Sequence, residues 1–111
     1  MFQIRRHQEP LPGQSRTVRF EGRDYGGAVS LFLVDAEPGR GSDMHVHPYS
    51  ETWVVRKGEA EFTVGGEIIR GYAGDIVVAA ANVPHRFENV GTGRLELIGI
   101  HPSDTILQEV V

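Results

Sequence analysis

The chain is a succession of short apolar stretches cut apart by glycine, and that rhythm constrains its fold more than any other feature. Short apolar runs bounded by turn residues and enriched in Val, Ile, Thr and aromatics read as strands. The candidates are 17–20, 28–36, 44–47, 52–56, 61–64, 67–70, 76–80, 85–89 and 95–101. Nine short strands predict an all-β fold, either a sandwich or a double-sheet jelly-roll barrel. Between two of them, Val64-Gly65-Gly66-Glu67 predicts a tight hairpin, because adjacent glycines supply the positive φ of a primed turn. Gly58, Gly71, Gly74, Gly91 and Gly93 punctuate other turns.

The densest chemistry lies between Gly39 and Gly58, where His45 and His47 stand at i and i+2 and Glu51 follows four residues later. Alternate residues of a strand share a face, so the two imidazoles aim at one point, and two imidazoles on one face suggest a metal. Glu51, beyond the bend at Pro48-Tyr49-Ser50, can return a carboxylate to that point. A third imidazole comes best from His85, which opens a strand after the Pro84 turn. The rival reading of the His45/His47 pair is a hydrogen-bonded polar pair, and Glu51 has a competing use as partner of Arg56 or Arg86.

These two segments resemble the motifs of the cupin superfamily. Gly39, His45, His47, Glu51 and Gly58 fit the first motif, G-x5-H-x-H-x3-E-x6-G, without a gap. Gly74, His85 and Asn89 fit the second, with Ala80 where proline is usual and Asn82 where glycine is usual. Asn tolerates positive φ, so Asn82 can hold the turn that glycine otherwise supplies. The resemblance spans roughly residues 27–101 and selects the jelly-roll barrel, a double-stranded β-helix, for a single domain over 1–111. It implies His45, His47, Glu51 and His85 as ligands of one divalent transition metal. Imidazole and carboxylate suit Fe, Mn, Co, Ni, Cu or Zn, and the sequence does not choose among them.

If Glu51 points inward, Trp53 and Val55 share its face and Phe87 that of His85, with Phe62 and Val64 adding to a small apolar pocket. The same residues also describe an ordinary barrel core. Tyr49 is a further pocket residue, which either donates a hydrogen bond to a bound ligand or caps the barrel mouth. Tyr49 and His101 are the candidates for an acid or base, and a partly exposed His101 in the turn before Pro102 is the expected reading. His7 belongs to the surface and Asn89 to a turn.

A chain of 111 residues is one domain with room for a core. The absence of cysteine excludes disulfides and thiolate zinc sites. No apolar run approaches the roughly eighteen residues of a membrane span, and the start lacks the apolar stretch of a secretory signal; a cytoplasmic protein without a membrane partner is expected. With a net charge of −4 and scattered basic residues, no nucleic-acid partner is expected either. Residues 1–16 read as an extended arm, and 102–111 as a C-terminal extension that forms either a capped helical turn or an edge strand. Apolar residues at both parities in 52–55 and 76–78 call for cover on both faces, so a homodimer is expected, with cover by the arm as the alternative.

Three functions fit these residues: a metal-dependent enzyme of dioxygenase or isomerase type acting on a small oxygen-rich molecule, a non-catalytic binding or sensor protein for a small ligand, and a metal-free structural barrel. Fold does not decide among them.

Overall fold

The computed structural model describes residues 1–111 and contains ten strands and no α-helix. The strands are β1 Val18–Phe20, β2 Ser30–Ala36, β3 His45–Val46, β4 Glu51–Lys57, β5 Glu59–Val64, β6 Glu67–Tyr72, β7 Ile76–Ala79, β8 His85–Asn89, β9 Leu95–His101 and β10 Glu109–Val110. A 3-10 turn at Gly22–Tyr25 follows β1. Two five-stranded sheets face each other, ordered β1-β2-β9-β4-β7 and β10-β3-β8-β5-β6, with every strand pairing antiparallel. No helix is long and apolar enough to cross a membrane.

Local chemistry explains the tight turns. Gly65 and Gly66 both have positive φ, 56° and 84°, and close the β5–β6 hairpin in the sense that matches strand twist. Asn82 is the one non-glycine residue with positive φ, at 63°, and its N–H donates to the His47 carbonyl at 2.8 Å. The side chain of Asn89 ties the β8 end down. Its Nδ2 donates to the carbonyls of Ala36 and Gly93, and its Oδ1 accepts from the Gly91 N–H.

Inside, strict alternation separates the faces. Along β4, Glu51, Trp53 and Val55 are buried, and along β9 so are Leu95, Leu97, Gly99 and His101. Val34, Trp53, Val55, Ala60, Phe62, Ala79, Leu95 and Leu97 form the core, with the Trp53 and Phe62 rings 4.8 Å apart. Core filling stops at one end of the barrel. Because β4 and β9 run antiparallel with Thr52 opposite Ile100, Glu51 at the start of one lies alongside His101 at the end of the other. His45 and His85 are direct cross-strand partners in the opposite sheet. The apolar core thus gives way to a polar end made of Ser30, His45, His47, Glu51, His85 and His101, all buried.

The C-terminal extension is an edge strand and not a helical turn. Glu109 and Val110 pair with Val46 and His45, supplying partners for the backbone of β3 that would otherwise stand unpaired. The arm, residues 1–16, forms no strand; it leaves Ile76 and Val78 exposed at 66% and 60%, so it does not provide the cover those residues call for.

Candidate metal centre

Four ligand atoms, one each from His45, His47, Glu51 and His85, lie within 4.8 Å of one another, and all four residues are buried. β3 and the residue just past it carry the first two, β4 opens with the third and β8 with the fourth. Each imidazole is held from behind by a backbone carbonyl. His45 Nδ1 lies 2.6 Å from the Asp43 oxygen, His47 Nδ1 2.8 Å from that of Leu107, and His85 Nδ1 2.9 Å from that of Val83. A carbonyl only accepts, so each Nδ1 carries the proton and each neutral ring keeps its Nε2 lone pair for the centre.

That tautomer assignment tests whether a cation fits. His47 Nε2 and His85 Nε2 lie 3.0 and 3.2 Å from the same carboxylate oxygen, Glu51 Oε1. With neutral rings, lone pairs face lone pairs at hydrogen-bonding distance, an arrangement that a cation or a proton must relieve. Burial works against charge on Glu51, but the facing nitrogens of His101, His47 and His85 outweigh it, the last two as donors only when their rings take up a second proton, and hold the carboxyl well below the usual carboxylate range in metal-free protein. Burial lowers the pKa of His45, against a smaller upward pull from its bond to Asp43. At His47 burial is outweighed by the bonds to Glu51 and Leu107, and the pKa rises. An ionised carboxylate amid imidazole lone pairs could hold a divalent cation, with acid competing for the same electron pairs.

The second carboxylate oxygen has different surroundings. Glu51 Oε2 lies 3.3 Å from His101 Nε2, and a Cβ at Gly99 would sit 2.5 Å from that oxygen, so any side chain there would push the carboxylate aside. His101 is 1% exposed, the last residue of β9, and not a partly exposed turn residue. Its Nδ1 meets the Tyr49 hydroxyl at 2.7 Å; the same hydroxyl accepts from the Leu107 N–H at 3.1 Å. The Tyr49 ring stacks on His47 at 5.1 Å, and burial raises the phenol pKa, so the hydroxyl stays protonated. Neither Arg56 nor Arg86 makes an ion pair with Glu51, whose partners are all histidines.

A cavity of about 620 Å³ opens over Glu51, His45 and His101. Phe32, Val34, Trp53, Phe87 and Leu97 form its apolar wall, and Arg16, Arg40 and the Arg94–Asp35 ion pair lie around it. Of the expected pocket residues, Trp53 and Phe87 line this cavity. Val55 and Phe62 lie in the core, Val64 packs against it, and Tyr49 stands behind His47. These residues have the expected inward parity, but depth along the strand separates wall from core. Phe32, Val34 and Leu97 are wall residues the sequence does not single out: Leu31 and Leu33 flank Phe32 with equally apolar outward residues, and only Leu97, beside outward Glu96, carries an alternation signal. His7 is exposed on the arm beside Glu9.

Comparison with known proteins matches this architecture. The family model described as the cupin domain matches residues 32–101. An oxalate decarboxylase of Lactobacillus farciminis in complex with formate superposes with a TM-score of 0.77 at 20% identity, over 86% of this chain and 30% of that one. A Bacillus subtilis oxalate decarboxylase studied for its Mn(II) centres superposes at 0.78 and 24% identity, over 94% of this chain and 30% of the other. The chain therefore spans under a third of the length of these enzymes. A conserved Klebsiella pneumoniae protein with a double-stranded β-helix domain is matched over 93% of this chain and 89% of its own, with a TM-score of 0.73 and 26% identity. No curated protein matches the chain.

Proposed function

We propose, from the premise that this chain belongs to the cupin family, that it is a metal-dependent enzyme acting on a small molecule with adjacent oxygen donors. One observation carries the reading: three imidazole lone pairs, each backed by its own hydrogen bond, converge with an ionised carboxylate, and His45 and Glu51 open onto a cavity with one apolar wall that is large enough for a small substrate. His45, His47, Glu51 and His85 would hold the ion. Once bound, a divalent metal supplies Lewis-acid polarisation of substrate oxygens or, if redox-active, chemistry with dioxygen. Phe32, Trp53 and Phe87 would exclude water from the substrate, and Arg16 and Arg40, neither in an ion pair, would offer hydrogen-bond donors to substrate oxygens beside the lining carboxylates Asp35, Glu37 and Asp43. The Mn(II) centres of the B. subtilis enzyme make manganese one natural candidate among Fe, Mn, Co, Ni, Cu and Zn.

Elemental analysis of protein purified without chelator, beside its His45→Ala variant, tests the site. Near one equivalent of metal in the parent and loss in the variant is expected; no metal in either after reconstitution refutes the reading. Turnover assays with dicarboxylate, catechol-like and 2-oxo acid substrates then test catalysis, and tight binding without turnover would make the protein a binding module.

We further propose that the protein is a cytoplasmic homodimer built on the outer face of the β1-β2-β9-β4-β7 sheet. Register aligns Val18, Leu33, Ile98, Val54 and Ile76 in one row across five strands, and Phe20, Leu31, Ile100, Thr52 and Val78 in the next. Nine of these ten are apolar, where a sheet face meant for water carries polar residues. Ile76→Glu with Val54→Lys should give a folded monomer by light scattering; a monomeric parent would refute the interface.

A further inference from the structure

Four imidazoles crowd the polar end of the barrel, and what sits behind each ring sorts them into two chemical types. Behind His45, His47 and His85 stand carbonyls, which leave Nε2 a lone pair. Behind His101 stands a hydroxyl that already accepts the Leu107 N–H and has its own proton to give. Donation of that proton to His101 Nδ1 places the ring proton on Nε2, facing Glu51 Oε2 at 3.3 Å. The opposite tautomer would set a lone pair against a buried carboxylate. His101 Nε2 is also the one buried side-chain polar atom that makes no hydrogen bond, although Glu51 Oε2 lies 3.3 Å away, so its nearest acceptor is the carboxylate oxygen, which a small shift of either side chain would engage.

We propose that Tyr49 and His101 are positioning residues that clamp Glu51 Oε2, keeping it off the convergence point and leaving Oε1 to face the metal. The inference rests on the metal-binding reading above. Leu107 joins the clamp to the ligand set, since its carbonyl accepts from His47 Nδ1 while its N–H donates to Tyr49. One peptide group of the C-terminal extension therefore orients a ligand and the residue that orients the carboxylate. Gly99 completes the clamp from the other side, because it is the absence of a Cβ there that lets Oε2 lie against β9.

The test uses the full chain with Mn²⁺ as probe. In metal-free protein, ¹⁵N imidazole spectra should show two rings protonated at Nε2, His101 and the exposed His7, whose Nε2 lies 3.0 Å from Glu9 Oε1, and Tyr49→Phe should move only the His101 ring toward a mixture of tautomers. Mn²⁺ titration should show affinity falling about tenfold or more in Tyr49→Phe and His101→Leu. In His101→Gln, where an amide donor replaces Nε2–H, affinity should stay within about threefold of the parent by the same reasoning. Circular dichroism confirms that the variants are folded. Parent-like affinity in His101→Leu, equal losses in the Gln and Leu variants, or an unchanged ¹⁵N pattern in Tyr49→Phe would each overturn the clamp alone. A parent protein that takes up neither Mn²⁺ nor Zn²⁺ would overturn the metal-binding reading and this role with it.

Discussion

Gly99→Ala is the sharpest probe of how the carboxylate is held. Residue 99 does not have positive φ, so alanine carries no backbone penalty there, and glycine within a strand is ordinarily the less stable residue by roughly 0.5–1 kcal/mol. On local grounds the substitution should stabilise. The structure reverses that expectation, because the new Cβ would lie 2.5 Å from Glu51 Oε2 and 3.5 Å from Trp53 Cδ1. Restoring an ordinary 3.4 Å contact requires Oε2 to retreat by 0.9 Å, the difference between 3.4 and 2.5. A surface carboxylate would swing away at little cost, but this one is buried among His47, His85 and His101. Overpacking of this kind costs about 1–3 kcal/mol, which for a domain of this size lowers Tm by roughly 4 °C or more per kcal/mol. A ligand displaced by more than about 0.5 Å should also weaken metal binding by at least tenfold. Thermal melts with and without Mn²⁺, together with Mn²⁺ titration, read both effects. In a Glu51→Ala background the clash disappears, so Gly99→Ala should cost nothing there and the cycle should be strongly non-additive. Equal effects in the two backgrounds, or unchanged Mn²⁺ affinity in the single variant, would refute the reasoning.

Other predictions follow from the same geometry. His85→Ala should lower metal content sharply and abolish the rise in Tm that added metal gives the parent, since a metal that binds only the folded state stabilises it; differential scanning calorimetry checks this. In metal-free protein, Glu51 and His45 have pKa values below their unfolded ones. Each therefore contributes stability present above the unfolded pKa, about 4.3 and 6.5, and lost as pH falls below it. His47, shifted upward, contributes stability below about 6.5 that is lost as pH rises through its folded value. Denaturant melts across pH 3 to 8 should show net loss on the acid side, and bound metal should be released there as well. Asn82→Gly should leave stability nearly unchanged, whereas Asn82→Val should cost on the order of 1–2 kcal/mol, because a β-branched residue resists a φ of 63°; chemical denaturation reads the difference.

Local chemistry made much of this protein readable from sequence. Strand positions follow from alternation and glycine turns, which act over a few residues, and β8 and β9 begin and end where the pattern predicts. The facing of His45 with His47 follows from strand periodicity, and the turn at Asn82 from the tolerance of asparagine for positive φ. Parity also placed Trp53 and Phe87 on the inward faces. What parity cannot supply is depth: Val55 shares the face of Glu51 but lies in the core, and Phe32 and Leu97 reach the cavity from β2 and β9. His101 looked like a turn residue because its burial depends on the register between β4 and β9, set by pairing across more than forty residues of chain. The hydrogen bond from His47 to Leu107 spans 60 positions, and β10 exists only because β3 offers it an unpaired edge. Sequence by itself determined which residues could ligate and which face each strand would bury, since both depend on side-chain chemistry and a period of two. The tertiary structure alone decided which tautomer each histidine presents and which carboxylate oxygen faces the centre, because those depend on the groups behind each ring, brought there by distant strands.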